Sequence, residues 1–378
     1  MMDRRRIVRQ WREGGARVLV TLVGVEGSSY RRPGAHLLVG GDGAFAGTIS
    51  GGCLEAEAVR KASWIVRGGA TLERYSTMFD DTAEIPFGLG CGGVVDVLFE
   101  PADTPECAAY LEAMEAALRG EESFVVTYLP KDGQSLARAV FLADGMLAFA
   151  SLGLDVAKIA AVRVTNLIAG AFPEREDVFV EKISAPQRLF VLGAGGDARP
   201  VVSMGALLGW NVVVADARPQ LVRPERFPEA ERVVAMRSVR DLAMKGADAA
   251  VIMTHSYDQD RALLTGLLSD VDAPGYIGLL GAMHRSSLLV SEAATALGRS
   301  VAECCERIYA PVGLELGGDG PEAIALAVVA QVQAWAQGRL GASRKLTAEQ
   351  VGEQIAQGGA SRYLQTQCEL SPAATFNS

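Results

Sequence analysis

Two cysteines in this chain stand where a thiol can do chemistry. Cys53 follows a glycine pair in "GTISGGCLEAEAV", Gly51 and Gly52 leading into it, and Cys91 lies between glycines in "GLGCGGVVDVLFEP". Flanking glycines strip neighbouring side chains from a sulfur and let backbone N–H groups point at a thiolate or a bound anion. The pattern from Leu54 onward predicts a helix, whose N-terminal dipole lowers the pKa of a thiol placed there. Glu55 suits that dipole and partly opposes its effect at the sulfur. A thiolate so placed is a nucleophile, a soft metal ligand or a carrier of persulfide sulfur. The competing reading is a cysteine packed as a small hydrophobe. It is the expected one for Cys107, on a helix, and for the vicinal pair Cys304–Cys305; Cys368 lies in the tail.

A second constellation lies in the later half. "LFVLGAGGDARPVV" holds G-x-G-x-x-A at Gly193, Gly195 and Ala198, between a strand and a helix, and Asp216 ends the next strand. This is the setting of a dinucleotide fingerprint: the first glycine permits the tight turn, the second lets backbone approach a pyrophosphate, and the third position packs helix on strand. Asp216 would bond ribose hydroxyls and disfavour a 2′-phosphate. Asp197 runs against this, putting a charge beside the phosphate position, and Pro200 removes an N–H near the first turn. The loop therefore fits either an NAD site or a domain that keeps the shape without the cofactor.

Other polar residues fall at the same sheet edge. "VIMTHSYDQDRALL" ends a strand with Thr254 and His255, and "GLLGAMHRSS" puts His284 and Arg285 just after another. Doubly wound sheets bind ligands at that edge. His255 could make a polar contact, carry a proton or neighbour a helix cap. Arg31 and Arg32 in "GSSYRRPGA" are turn cations, facing solvent or a phosphate. In "GGDGPEAIALAVV", Asp319, Pro321 and Glu322 read first as helix-start chemistry.

These residues need elements to hold them. Up to Ser184, "RVLVTLVGV", "AHLLVG", "TLERYST", "VVDVLFEP", "FVVTYL" and "ARAVFLA" read as strands, with helices at "CLEAEAVRKASWIVRGG" and "PECAAYLEAMEAALRG" and a hairpin around "GGDG". From residue 185 the pattern becomes strand–helix alternation through "RLFVLGAG", "NVVVADA", "DAAVIMTH" and "GYIGLLGA". Such alternation makes right-handed βαβ units and a parallel sheet. The fold class is thus α/β. A mixed α+β domain over 1–184 precedes a Rossmann-like, doubly wound domain over 185–340, and a helix and polar tail occupy 341–378.

The 378 residues are 49% hydrophobic and 21% charged, a globular balance, and the net charge of −9 argues against a nucleic-acid partner. "MMDRRRIVRQWREGG" has no secretory core and reads as an amphipathic helix carrying Ile7, Val8 and Trp11 on one face. The longest apolar run, "AIALAVVAQVQAWA", is too short to span a bilayer, so a cytoplasmic protein is expected. With no CxxC and three scattered histidines, a zinc ribbon or His-rich metal site is not expected.

Taken together, "GTISGGCLEAE", "GLGCGGVVDVLFEP", the glycine loop with "ADARP", and "APVGLELGGDGPEAIALAVVA" resemble the XdhC/CoxI family, accessory factors of xanthine dehydrogenase and related molybdenum hydroxylases. The resemblance covers residues 10–100 and 188–337. It implies a carrier that binds molybdenum cofactor (molybdopterin), assists its sulfuration with sulfur from a separate cysteine desulfurase, protects it and hands it to the apoenzyme. Such a carrier is closer to a chaperone than to an enzyme with its own turnover. On that reading Cys53 is the first candidate for contact with molybdenum and Cys91 the second, with phosphate contacts from the loop or basic positions. Where family members often carry a second histidine, two positions after His255, this chain has Tyr257. A homodimer is expected, two-fold assemblies being common. The alternatives are an NAD-dependent oxidoreductase built on Gly193, Gly195 and Asp216, and a docking protein whose loops are structural.

Overall fold

The structure is a computed structural model that describes residues 1–76, 93–131, 135–154, 177–270 and 273–341. Cys91, Cys368 and the expected helix near 347–359 lie outside the described residues. The first part runs α1 (Met2–Glu13), β1 (Ala16–Glu26), β2 (Ala35–Gly40), β3 (Phe45–Gly47), α2 (Cys53–Ile65), β4 (Thr71–Ser76), β5 (Val94–Pro101), α3 (Pro105–Leu118), β6 (Ser123–Tyr128), β7 (Ala137–Leu142), β8 (Leu147–Ala150) and β9 (Val178–Ile183). Its strands form two antiparallel sheets, in the orders β3-β2-β1-β5-β4 and β8-β7-β6-β9.

Strand alternation sorts the core between the two faces of the first sheet. Val18, Val20 and Leu22 of β1 face α2, packing with Leu54, Ala58 and Ala62. Leu19 faces the other way, onto Ile7 of α1 and Tyr110 and Met114 of α3, and the same cluster reaches Val125 and Val140 of the second sheet. The layers are therefore α2, sheet, α1 with α3, sheet. A polar lock is buried in the helical layer: Arg138 Nη1 and Nη2 donate to Glu100 at 2.8 and 3.0 Å, and Arg138 Nε donates to Thr127 at 3.1 Å. Beside it Tyr110 bonds both His36 and Glu181.

The second part runs β10 (Arg188–Leu192), α4 (Ala198–Leu207), β11 (Asn211–Asp216), β12 (Arg232–Ala235), β13 (Ala249–Ile252), α5 (Tyr257–Ser269), β14 (Tyr276–Leu279), α6 (Met283–Leu297), α7 (Val301–Cys305), β15 (Ile308–Tyr309) and α8 (Pro321–Ala336). The parallel sheet has the order β12-β11-β10-β13-β14-β15, the doubly wound arrangement with its switch point between β10 and β13. Both faces are covered. Leu189 and Val191 pack with α4 and α8, while Phe190 and Leu192 pack with α5 and α6. This explains the unbroken apolar runs of the central strands, which lie between two helical layers.

β12 and β15 do not follow from the sequence pattern. β12 is a partly exposed four-residue strand and β15 has two residues, too short for any period to register. β8 and β9 likewise go beyond the strands that the pattern predicts. The two parts touch through α1, where Arg5 bonds Asn211 at the start of β11; its neighbour Arg4 donates at 2.6 Å to the carbonyl of Ser184, the last residue before the second part. Among the described residues no helix is long and apolar enough to cross a membrane.

Candidate functional site

The loop before α2 is held by its own carboxylate. Glu55 is buried and accepts the N–H groups of Ile49, Ser50 and Gly52 at 2.9, 2.7 and 3.0 Å, together with the Ser50 hydroxyl. Ser50 Oγ in turn accepts from Leu54 N at 3.2 Å. Burial works to raise the Glu55 carboxyl, but the bonds from Ser50 and its neighbours outweigh it and hold the group below the usual carboxylate range. The sequence suggested a carboxylate acting on the dipole; the structure shows it folded back as the loop's anchor. Gly52 has φ 119°, a conformation closed to most side chains, and the helix begins at Cys53. The backbone of Cys53 is described; its side chain is not.

Tyr30, largely exposed, lies over Gly51: a Cβ at Gly51 would be 3.8 Å from the Tyr30 ring. Gly93, which follows the undescribed segment containing Cys91, packs so closely on the same loop that a Cβ would fall 2.2 Å from the Ser28 carbonyl. Arg31 of this loop is paired with Asp3 at 3.0 Å, and Arg32 is exposed.

The other candidates gather at the switch point. Gly193 has φ 131°, and a Cβ there would lie 2.4 Å from the Met253 carbonyl, so the turn after β10 tolerates no side chain. Its N–H donates to Ala215 at 2.8 Å. A Cβ at Gly195 would sit 3.6 Å from the His255 ring, an ordinary contact that leaves the imidazole room to lie beside the loop. His255 itself has φ 64°, the left-handed region that a non-glycine residue enters at a cost. Its Nε2 is 3.0 Å from Asp197 Oδ2, so the acid that opposes a phosphate is paired with the histidine.

Asp216 is fully buried and already bonded. It accepts from Ala194 N at 2.8 Å, from Arg218 N at 2.9 Å, and from the Arg218 guanidinium at 2.9 and 2.8 Å. A ribose hydroxyl would have to displace Arg218. Burial works to raise the Asp216 carboxyl, and the bonds from Arg218 and Ala194 prevail and hold it low.

One residue essential to this architecture carries no clear mark in the sequence. Asp260 of α5 is completely buried and accepts from Thr254 N at 3.2 Å, from Thr254 Oγ1 at 2.5 Å and from Arg285 Nη2 at 2.7 Å. It ties the end of β13 to the start of α6. The only hint is an acid in the first turn of a helix, which reads as dipole compensation. Arg285 also donates to the Leu280 carbonyl at 3.3 Å. His284 is exposed and does not line the cleft.

These elements enclose a cleft of about 530 Å³ lined by Asp197, His255, Arg285 and Glu315 among apolar residues from β14 through α8. It lies wholly within the parallel-sheet domain. At the far end of that wall, Gly320 caps α8 and Pro321 takes its first position, while Asp319 makes no cap bond.

The chain matches the family models described as "XdhC Rossmann domain" over residues 189–332 and "XdhC and CoxI family" over residues 10–76. A protein of Bacillus subtilis (strain 168), named as a probable component of xanthine dehydrogenase, is 31% identical, across 83% of this chain and 92% of its own. "Molybdenum cofactor insertion chaperone PaoD" of Escherichia coli (strain K12) is 26% identical, across 84% and 83% respectively. A crystal structure from Bacillus halodurans, described as a xanthine dehydrogenase, superimposes with a TM-score of 0.75 at 28% identity, covering 93% of this chain and 99% of that one. Both parts of the molecule, in order and nearly whole, are those of the XdhC/CoxI family, to which the chain belongs.

Proposed function

We propose that this protein is an accessory factor in molybdenum-cofactor maturation, which binds the cofactor, assists its sulfuration and delivers it to a molybdenum hydroxylase of the xanthine dehydrogenase type. The supporting observation is family membership along nearly the whole chain, with a cofactor insertion chaperone among the relatives. The structure offers a suitable setting. The loop leading to Cys53 is pinned by Glu55, so a soft sulfur ligand would be presented from rigid backbone at a helix start. The cleft at the switch point, at about 530 Å³, falls within the range for small-molecule sites.

In this reading Cys53, and after it Cys91, contacts the molybdenum end or carries a persulfide, the sulfur coming from a cysteine desulfurase. The protein acts as a cytoplasmic homodimer. An NAD-dependent oxidoreductase is disfavoured by the pairing of Asp216 with Arg218 and by Asp197 beside the glycine loop.

The test is cofactor binding by anaerobically purified wild type and Cys53→Ala, with NAD binding as a parallel control and apoenzyme activation as the second readout. Reduced loading and activation in the variant support carrier and contact together. Unchanged loading moves the contact to another residue, Cys91 next. Failure of both proteins to bind cofactor while both bind NAD overturns the proposal.

A further inference from the structure

The geometry points to the switch-point cleft as a site for a planar 2-aminopyrimidinone heterocycle bearing a single phosphate, with Glu315 reading the ring and Arg285 holding the phosphate. This rests on the reading of the protein as a cofactor carrier and specifies where, and by which residues, the organic part of the cargo is held.

The polar groups of the cleft differ in how much bonding capacity they keep free. Asp197 is paired with His255, whose Nε2 lies 3.0 Å from Oδ2. Arg285 gives one bond to Asp260 and one to the Leu280 carbonyl. A guanidinium carries five N–H donors, so capacity remains for an anion. Glu315 has no hydrogen-bond or ion-pair partner among the described residues, yet it lines the cleft beside Val312, Leu314 and Ile324. A carboxylate against an apolar wall is best matched by two parallel N–H donors on a flat ring. The ring N–H and exocyclic amine of a 2-aminopyrimidinone supply that pair, and the aliphatic side chains supply the face on which the ring lies.

The same groups exclude a dinucleotide. A pyrophosphate over the glycine loop would meet the Asp197 carboxylate, and its ribose would find Asp216 closed by Arg218. A lone phosphate at Arg285 meets neither obstacle.

Pterins and guanine share the recognised edge, and the experiment separates them. Full-length protein is titrated with a 6-substituted pterin monophosphate, the same pterin without phosphate, GMP and NADH. Saturable binding of the pterin monophosphate is expected, at least tenfold weaker in Glu315→Gln. Arg285→Gln should weaken the phosphorylated pterin by a similar factor and leave the unphosphorylated one unchanged. Glu315 is exposed, so its variant tests the site even if loss of the Asp260 partner unfolds the arginine variant. Equal binding by wild type and Glu315→Gln overturns the inference, as does tighter binding of GMP or NADH than of the pterin monophosphate. Loading with intact molybdenum cofactor is measured alongside. Loading unaffected by Glu315→Gln sinks this site and leaves the carrier standing. Pterin binding that responds as expected in a protein that never loads the cofactor sinks the carrier alone.

Discussion

The guanidinium of Arg218 spans both carboxylate oxygens of Asp216, Nε lying 2.9 Å from Oδ1 and a terminal nitrogen 2.8 Å from Oδ2. The acid that ends β11, where a dinucleotide-binding domain presents one to a ribose, is here turned inward as a structural group. Because its folded pKa lies below the unfolded value of about 3.9, it stabilises the fold above that value and ceases to do so as pH falls through the folded one. Asp216→Asn should therefore give a flatter dependence of unfolding free energy on pH at the acid end. Urea titrations at a series of pH values between about 6 and 3 measure this. An unchanged slope would remove Asp216 from the acid-sensitive groups.

Glu55 does the same for the first domain, with a functional consequence. Its removal leaves the buried N–H groups of Ile49 and Ser50 without their acceptor. Glu55→Ala should cost about 2 kcal/mol, the sum of a lost cap and unsatisfied donors. Cofactor binding should fall by more than the stability loss alone explains, since Cys53 is presented by this loop. Denaturant midpoints and cofactor binding under strongly native conditions separate the two effects.

What was legible in the sequence was whatever rests on period or on chain-local chemistry. β10, β11, β13 and β14 are continuous apolar runs, and the glycine loop announces its own turn; hence the doubly wound domain could be read directly. The glycine pair and Glu55 likewise marked the start of α2. What was not legible depends on which partner a side chain turns to once the chain is folded, whether that partner is near or far in sequence. Nothing local says that Asp216 is closed by a cation two residues on rather than left for a ribose. Nor does anything local say that Asp260 reaches back to Thr254 and forward to Arg285. The short strands β12 and β15 exist because their neighbours offer a ladder, not because their own residues demand one.

The buried pair of Arg138 and Glu100 shows that dependence at its largest. Both side chains are almost wholly inaccessible, and they join β7 to β5, one strand from each antiparallel sheet. Removing either partner leaves an uncompensated buried charge, so Glu100→Ala or Arg138→Ala should lose about 3–5 kcal/mol. Replacing both with apolar residues of similar size should lose much less than the two single changes together. Equilibrium unfolding of the two single variants and the double variant completes the cycle. Additive losses would show that the two side chains act independently.

His255 reverses the usual relation between stability and function. Its φ of 64° costs a non-glycine residue about 1–2 kcal/mol, which glycine would not incur. Glycine instead loses about 0.5–1 kcal/mol through the entropy of the unfolded chain. The exposed pair with Asp197 contributes little, as surface ion pairs do. His255→Gly should therefore remain within about 1 kcal/mol of wild type, with an unchanged or slightly raised melting temperature. If the imidazole belongs to the cleft, the same substitution should weaken cofactor loading, and Asn, which also tolerates this conformation, should restore stability behaviour without restoring loading. A large loss of stability on going to glycine would show the side chain to be a packing element. Full loading in the glycine variant would show that the backbone strain at the switch point serves the turn alone.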